Sequence, residues 1–200
     1  TMETPEGTLV TGGIFSSLKT IQRLAREYLA DGGHFYFLFD NTSSVESRRK
    51  QIDPDYKANR YKKDPMFYRG LDYLNLILLS YENDWFVVRR PGSEADDLVA
   101  AALTEIPEDK TVMLFSNDMD WARGMSDRVS WVKRNFATHT DVVVDKTKFF
   151  EEYGYVPSRE SICMYKSFRG DSSDNIAIGV ERIPEKLLIQ IVENFKSLPD

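Results

Sequence analysis

Four short acidic clusters carry the chemistry this chain could perform: Asp40, Glu94-Ala95-Asp96-Asp97, Asp118-Met119-Asp120 and Asp171-Ser172-Ser173-Asp174. Carboxylates gathered closely repel one another, so a fold that brings them together needs cations between them, and hard divalent ions prefer oxygen ligands. The set is therefore a candidate metal centre. Two of the clusters also have a plainer reading. Acidic residues at 94–97 suit the first turn of a helix capped by Ser93, where the helix dipole favours negative charge. Asp118 and Asp120 suit a turn after a strand.

The compensating charge lies between the first two clusters. The chain has a formal net charge of −6, yet Arg48, Arg49, Lys50, Lys57, Arg60, Lys62, Lys63 and Arg69 fall close together, interleaved with Tyr56, Tyr61, Phe67 and Tyr68. Lysine and arginine supply salt-sensitive attraction to a phosphate backbone, and aromatic faces stack on bases. A solvated basic face balancing an acidic protein is the alternative.

The elements that must position these residues follow from periodicity. Residues 14–29 carry apolar side chains at helical spacing and stop at Asp31-Gly32-Gly33; 35–39 is then a continuous apolar run of strand length. The alternation recurs, with a helix at 67–79 before a strand at 85–89, and a helix at 96–103 before a strand at 111–115. Further strands are expected at 129–132 and 141–144. Such alternation predicts an α/β fold with a mostly parallel central sheet covered by helices, whose ligands bind beyond the carboxyl ends of the strands. Asp40, Glu94 and the Asp118-Asp120 pair all follow strands, so three clusters should share one rim.

Composition bounds the class. With 200 residues, 42 % hydrophobic and 29 % charged, the chain can bury a sizeable core and is not expected to be disordered. The single cysteine, Cys163, excludes an internal disulfide and suits a reducing interior. No apolar run approaches the roughly 20 residues that span a bilayer, and no secretory leader opens the sequence. A soluble cytoplasmic protein without a membrane partner is expected.

Four segments in order carry a family resemblance: Asp53-Pro54-Asp55-Tyr56-Lys57-Ala58-Asn59-Arg60, Glu94-Ala95-Asp96-Asp97, Ser116-Asn117-Asp118-Met119-Asp120 and Gly170-Asp171-Ser172-Ser173-Asp174-Asn175-Ile176. Each alone is weak; together they span nearly the whole chain and resemble the 5′ nuclease family. That family takes in flap endonucleases, the 5′ to 3′ exonuclease domain of bacterial DNA polymerase I and bacteriophage 5′ exonucleases. The chain looks most like a bacteriophage or stand-alone bacterial member. The resemblance implies a PIN-like nuclease domain over 1–165, with a basic helical arch at about 45–70, and a helix-three-turn-helix module over 166–200.

The resemblance also implies roles. Asp40, Glu94, Asp96, Asp97, Asp118, Asp120, Asp171 and Asp174 would surround two Mg²⁺ ions, with Mn²⁺ as a substitute. Lys57 and Arg60 would meet the scissile phosphate, and Tyr56 would stack on the terminal base. Arg48, Arg49, Lys50, Lys62 and Lys63 in the arch, and Gly179, Arg182 and Lys186 in the hairpin, would contact DNA. His34 and His139 are left as structural or surface residues, and Cys163 as a small buried one. The implied partner is DNA with a 5′ end or flap, or an RNA primer in an RNA–DNA hybrid. The protein would act as a monomer in replication, repair or phage genome processing, in a bacterial cell or a phage-infected host.

Two departures stand out. Arg182 and Pro184 occupy positions where the family carries glycine, which argues against a K⁺ ion and backbone amide contacts in the hairpin. The family also begins with a strand ending in an aspartate of the metal site, and nothing before Thr4 supplies it; the expectation is that residues precede Thr1, and that helices follow Asp200. The rival readings are a non-catalytic DNA-structure-binding protein and a PIN-type ribonuclease.

Overall fold

The structure, a computed structural model, describes residues 1–4, 7–9, 11–29, 32–40, 48–61, 63–81 and 85–194. Two short strands open it, β1 (Met2–Thr4) and β2 (Gly7–Leu9), paired as an antiparallel hairpin. Helix α1 (Gly12–Tyr28) follows, its Ile14, Leu18 and Ile21 placed on one stripe by helical spacing. Strand β3 (Phe35–Phe39) then pairs in parallel with β4 (Trp85–Arg89), from Phe35 opposite Trp85 to Phe39 opposite Arg89. Between them run α2 (Arg48–Ile52) and α3 (Pro65–Leu79). Asp64 caps α3 by accepting from Met66 N–H at 2.7 Å, and Pro65 sits in the first turn, where its missing N–H costs nothing.

Side chains alternate along β3. Phe35, Phe37 and Phe39 pack with Ile21, Leu74 and Leu78 of the flanking helices, whereas Leu38 joins a second, larger core. That larger core belongs to α4 (Ala95–Glu105), β5 (Val112–Phe115), a 3₁₀ turn at Met119–Gly124, β6 (Val129–Asn135), β7 (Thr140–Val144), α5 (Lys146–Tyr153), α6 (Arg159–Arg169) and α7 (Glu185–Asn194). Strand β5 is parallel to β6, and β7 returns antiparallel.

The α/β class and the strand positions agree with expectation, but among the described residues the strands form separate small sheets and not one continuous sheet. Periodicity marks a strand; it does not say which strand lies beside it. The domain boundary expected at 165 falls inside α6, and Leu188 and Val192 of α7 share the core of Trp131 and Phe149. Cys163 is exposed, because its neighbours Ile162 and Met164 take the inward positions of α6. No helix among the described residues is long and apolar enough to cross a membrane.

One buried carboxylate ties the two cores together. The Asp141 side chain, 4 % exposed, accepts from Arg23 of α1 at 2.6 Å and from Arg134 of β6 at 2.8 Å, with the Tyr28 hydroxyl at 3.3 Å. Burial opposes its charge, but the hydrogen bonds from Arg23 and Arg134 outweigh it and hold the carboxyl below the usual range. The stabilisation is therefore complete above the ordinary carboxylate pKa of about 4 and is lost as pH falls through the lowered value. Asp141→Ala should cost about 3 kcal/mol in denaturant unfolding at neutral pH, because it leaves two arginines facing each other. The gap from wild type should shrink below about pH 4; a constant gap would mean the ion pairs are not its source.

The turn between α6 and α7 explains two glycines and one departure from the family pattern. Gly170 has a positive φ of +71°, which side chains rarely adopt, with the carbonyls of Ile176 and Ala177 2.7 Å from where a Cβ would stand. At Gly179 a Cβ would overlap the Ser167 carbonyl oxygen. Arg182 adopts φ +57°, the left-handed region that favours glycine. The position has a backbone conformation that suits glycine and bears the strain of a side chain. Pro184 lies just before α7, its carbonyl accepting from Leu187 and Leu188, so no helical donor is lost.

Candidate active site

The first turn of α4 supplies the centre of the site. Glu94, not Ser93, is the cap residue, and Asp97 folds back to accept from the Glu94 N–H at 3.0 Å. Capping and charge clustering thus occur together. Beside the same turn, Asp40 at the end of β3 accepts from Ala95 N–H at 2.7 Å. Asp118 caps the 3₁₀ turn by accepting from Asp120 N–H at 2.9 Å, which leaves Asp118 exposed and turns Asp120 inward, 8 % exposed.

The carboxylates are separated by the chain's own cations. Arg49 on α2 reaches Glu94 at 2.7 Å, Asp96 at 2.9 Å and Asp97 at 2.6 Å. Lys57 lies 2.6 Å from Glu94 and 3.8 Å from Asp174, and Arg60 is 2.8 Å from Asp174. On the other side Arg123 bridges Asp96 at 3.7 Å and Asp120 at 2.5 Å, while Lys166 bridges Asp120 at 2.5 Å and Asp171 at 2.7 Å. An unbroken alternating row results: Asp174, Lys57, Glu94, Arg49, Asp96, Arg123, Asp120, Lys166, Asp171. It joins three of the four acidic clusters, and Asp40 touches it through the start of α4.

Burial and charge act together on Asp120, Asp171 and Arg49. Burial opposes the charge of Asp120, but Lys166 and Arg123 hydrogen bonds more than offset it and hold the carboxyl low. For Asp171 the same contest, won by Lys166 and Ser173, brings the pKa to about 2. Burial also works against the charge of Arg49, and its bonds to Asp96 and Tyr56 keep it firmly protonated.

The donor set fits a hard divalent ion in kind, since every member offers carboxylate oxygen. In this conformation, though, no three acidic, histidine or cysteine side chains among the described residues are grouped to hold a metal ion. Arg49, Arg123 or Lys166 would have to give way first. The premise that gathered carboxylates call for cations holds, and side chains meet it.

Several expected contacts stand elsewhere. Tyr56 is 4 % exposed, its hydroxyl 2.8 Å from Arg49, 3.1 Å from Glu94 and 2.9 Å from Asp174. A ring so enclosed offers no face to a terminal base, which corrects the stacking expectation; burial also raises its pKa. The exposed aromatic faces of the basic segment are Tyr61, Tyr68 and Phe67, the last with Lys63 over its ring at 4.1 Å. Arg49 is turned to the carboxylates, whereas Lys50, Arg182 and Lys186 are exposed. Lys62 and the Arg48 side chain lie outside the described residues. Arg123 and Lys166 escaped sequence reasoning. Their signal was spacing from Asp120 and Asp171, which becomes legible only once α6 is known to pack against the 3₁₀ turn.

Known proteins share this arrangement of the chain. The family model described as 5′-3′ exonuclease, N-terminal resolvase-like domain matches residues 1–154. A 5′-3′ exonuclease of Mycoplasmopsis pulmonis is 28 % identical over 153 residues, covering 75 % of this chain and 48 % of its own length. DNA polymerase I of Mycobacterium bovis is 27 % identical over 193 residues, covering 96 % of this chain and 20 % of its own. The chain thus spans about half of the first relative and a fifth of the second. Among solved structures, the T5 D15 protein co-crystallised with metal ions superposes with a TM-score of 0.69 at 27 % identity, over 92 % of this chain and 68 % of that one. The bacteriophage T5 D15 flap endonuclease in a pseudo-enzyme-product complex with DNA and metal ions gives 0.67, with the same identity and coverage. The family match covers well over half of the residues, and the chain belongs to the 5′-3′ exonuclease family of the N-terminal resolvase-like type.

Proposed function

We propose that this chain hydrolyses phosphodiester bonds of DNA at or near 5′ ends and flaps, with two divalent ions, Mg²⁺ or Mn²⁺, as cofactors. The observation that carries the reading is the acidic row set against Lys57 and Arg60 at the foot of the basic segment, in a chain of this family. Glu94, Asp96, Asp97, Asp120, Asp171 and Asp174, with Asp40 and Asp118 beside them, would hold the ions. When bound, divalent ions would polarise the phosphate and offset its charge. Lys57 places an ammonium on the carboxylate row, where it can bind and orient a non-bridging phosphate oxygen. Arg60, half exposed, can hold a neighbouring phosphate. The exposed Tyr61 and Tyr68 faces suit unpaired bases, and the α6–α7 hairpin, with Arg182 and Lys186, suits duplex phosphates. The protein would work as a cytoplasmic monomer in replication or repair, or in processing phage DNA.

Cleavage of a 5′-flap DNA and of a single-stranded RNA, each with Mg²⁺ and with EDTA, tests this. The expected result is Mg²⁺-dependent cutting of the flap; RNA cutting alone would make it a ribonuclease. The complete pairing of the acidic row by side-chain cations favours one second reading, a DNA-structure-binding protein without catalysis, for which flap binding persists with no cleavage. Arg49 bears on both. Arg49→Ala should tighten Mg²⁺ binding about tenfold, ~1.4 kcal/mol, in calorimetric titration without DNA, because a competing cation leaves Glu94, Asp96 and Asp97. Unchanged affinity would show that Arg49 and the ion do not compete.

A further inference from the structure

Two loops far apart in sequence are laced together beside the acidic row. One is the segment between α2 and α3 that carries Lys57; the other is the turn after α6 that leads into the α6–α7 hairpin. Lys57 N–H donates to the Asp174 carbonyl at 2.8 Å, and Arg60 Nε to the Ser173 carbonyl at 3.1 Å. Asn59 Nδ2 donates to the Ser172 carbonyl at 2.8 Å, and Asn175 Nδ2 reaches back to the Asp55 carbonyl at 2.9 Å. The two asparagines thus bind reciprocally, each amide holding the other loop's backbone. Lys57 and Asn175 are both left-handed, at φ +57° and +60°, so the two loops are fixed in uncommon conformations where they meet.

Both asparagines are exposed. Amide–carbonyl bonds in contact with water add little to stability, since water competes for the same groups. What they supply is register, because each loop is held at a defined height against the other. Neither asparagine meets a carboxylate in the row, so neither is accounted for by the chemistry above.

We infer that Asn59 and Asn175 are positioning residues that couple the seating of duplex DNA on the α6–α7 hairpin to the placement of Lys57 at the scissile phosphate. The inference rests on the DNA reading proposed above. A duplex held by the hairpin fixes the 171–176 turn, and the asparagine pair carries that constraint to the Lys57 backbone. A single strand that does not engage the hairpin gains nothing from the pair.

The test uses the double variant Asn59→Ala with Asn175→Gly. Glycine keeps the left-handed backbone at 175 without strain, so only the amides are removed. On a 5′-flap duplex kcat should fall about tenfold with KM within about twofold, while cleavage of a single-stranded oligonucleotide should stay within about twofold of wild type. Equal losses on both substrates, or none on the flap, would overturn the inference. Amide hydrogen exchange gives a readout independent of cleavage. Adding flap duplex should slow exchange at residues 56–60 in the wild type and not in the variant; no slowing in the wild type, or equal slowing in both, overturns the coupling. Should the wild type cut no DNA at all, the nuclease reading fails, and the exchange measurement still decides the coupling.

Discussion

Asp120→Asn should lower cleavage of a 5′-flap substrate at least about a thousandfold, equivalent to ~4 kcal/mol of transition-state stabilisation, while flap affinity changes less than about threefold. Asp120 is the most enclosed junction of the acidic row, with Arg123 and Lys166 both at 2.5 Å. An amide of the same shape removes the charge that would help to hold a divalent ion and leaves the two cations without their shared partner. Part of the loss is therefore expected in stability, about 3 kcal/mol. Single-turnover kinetics at saturating Mg²⁺, combined with a thermal melt of the same variant, separates the two. Turnover within tenfold of wild type in a folded variant would remove Asp120 from the proposed site.

Lys57→Ala should lower kcat about a hundredfold, ~2.7 kcal/mol, with KM on the flap substrate raised no more than about threefold. Its ammonium sits 2.6 Å from Glu94, and on the proposed reading its charge would act at the reacting phosphate and not along the strand. The backbone offers a control. Lys57 is left-handed at φ +57°, and alanine is no better suited to that conformation than lysine, so the substitution tests the ammonium and not the strain. Loss of binding with unchanged kcat would reassign Lys57 to substrate positioning. Lys57→Arg should recover only part of the rate, because a planar fork does not reproduce a compact point charge.

Much of the local structure was written in the residues. The 3.6-residue spacing of Ile14, Leu18 and Ile21 marked α1, and the apolar runs at 35–39 and 85–89 coincide with β3 and β4. The grouping of the acidic clusters after strand ends was legible because side chains at strand termini in α/β folds point to a common edge. For Tyr56 the local sequence is not enough. An aromatic residue between basic ones looks like a stacking platform, and only the packing of its loop against Asp174 and Glu94 turns the ring inward.

The sequence by itself determined the element types, the identity of the acidic clusters and the motifs by which the family is known, since these depend on spacing over a few residues. The tertiary structure decided which charges meet. Arg49, Arg123 and Lys166 lie 48, 27 and 46 residues from the carboxylates they bridge most remotely, on paths that no local period describes: Arg49 to Asp97, Arg123 to Asp96, and Lys166 to Asp120. A carboxylate's partner is set by whichever cation the packing of other elements brings within about 4 Å, where Coulomb attraction in a partly dry site exceeds the cost of ordering a side chain. That is why a set of acids that reads in sequence as a call for metal ions is, in the folded chain, already threaded with its own lysines and arginines.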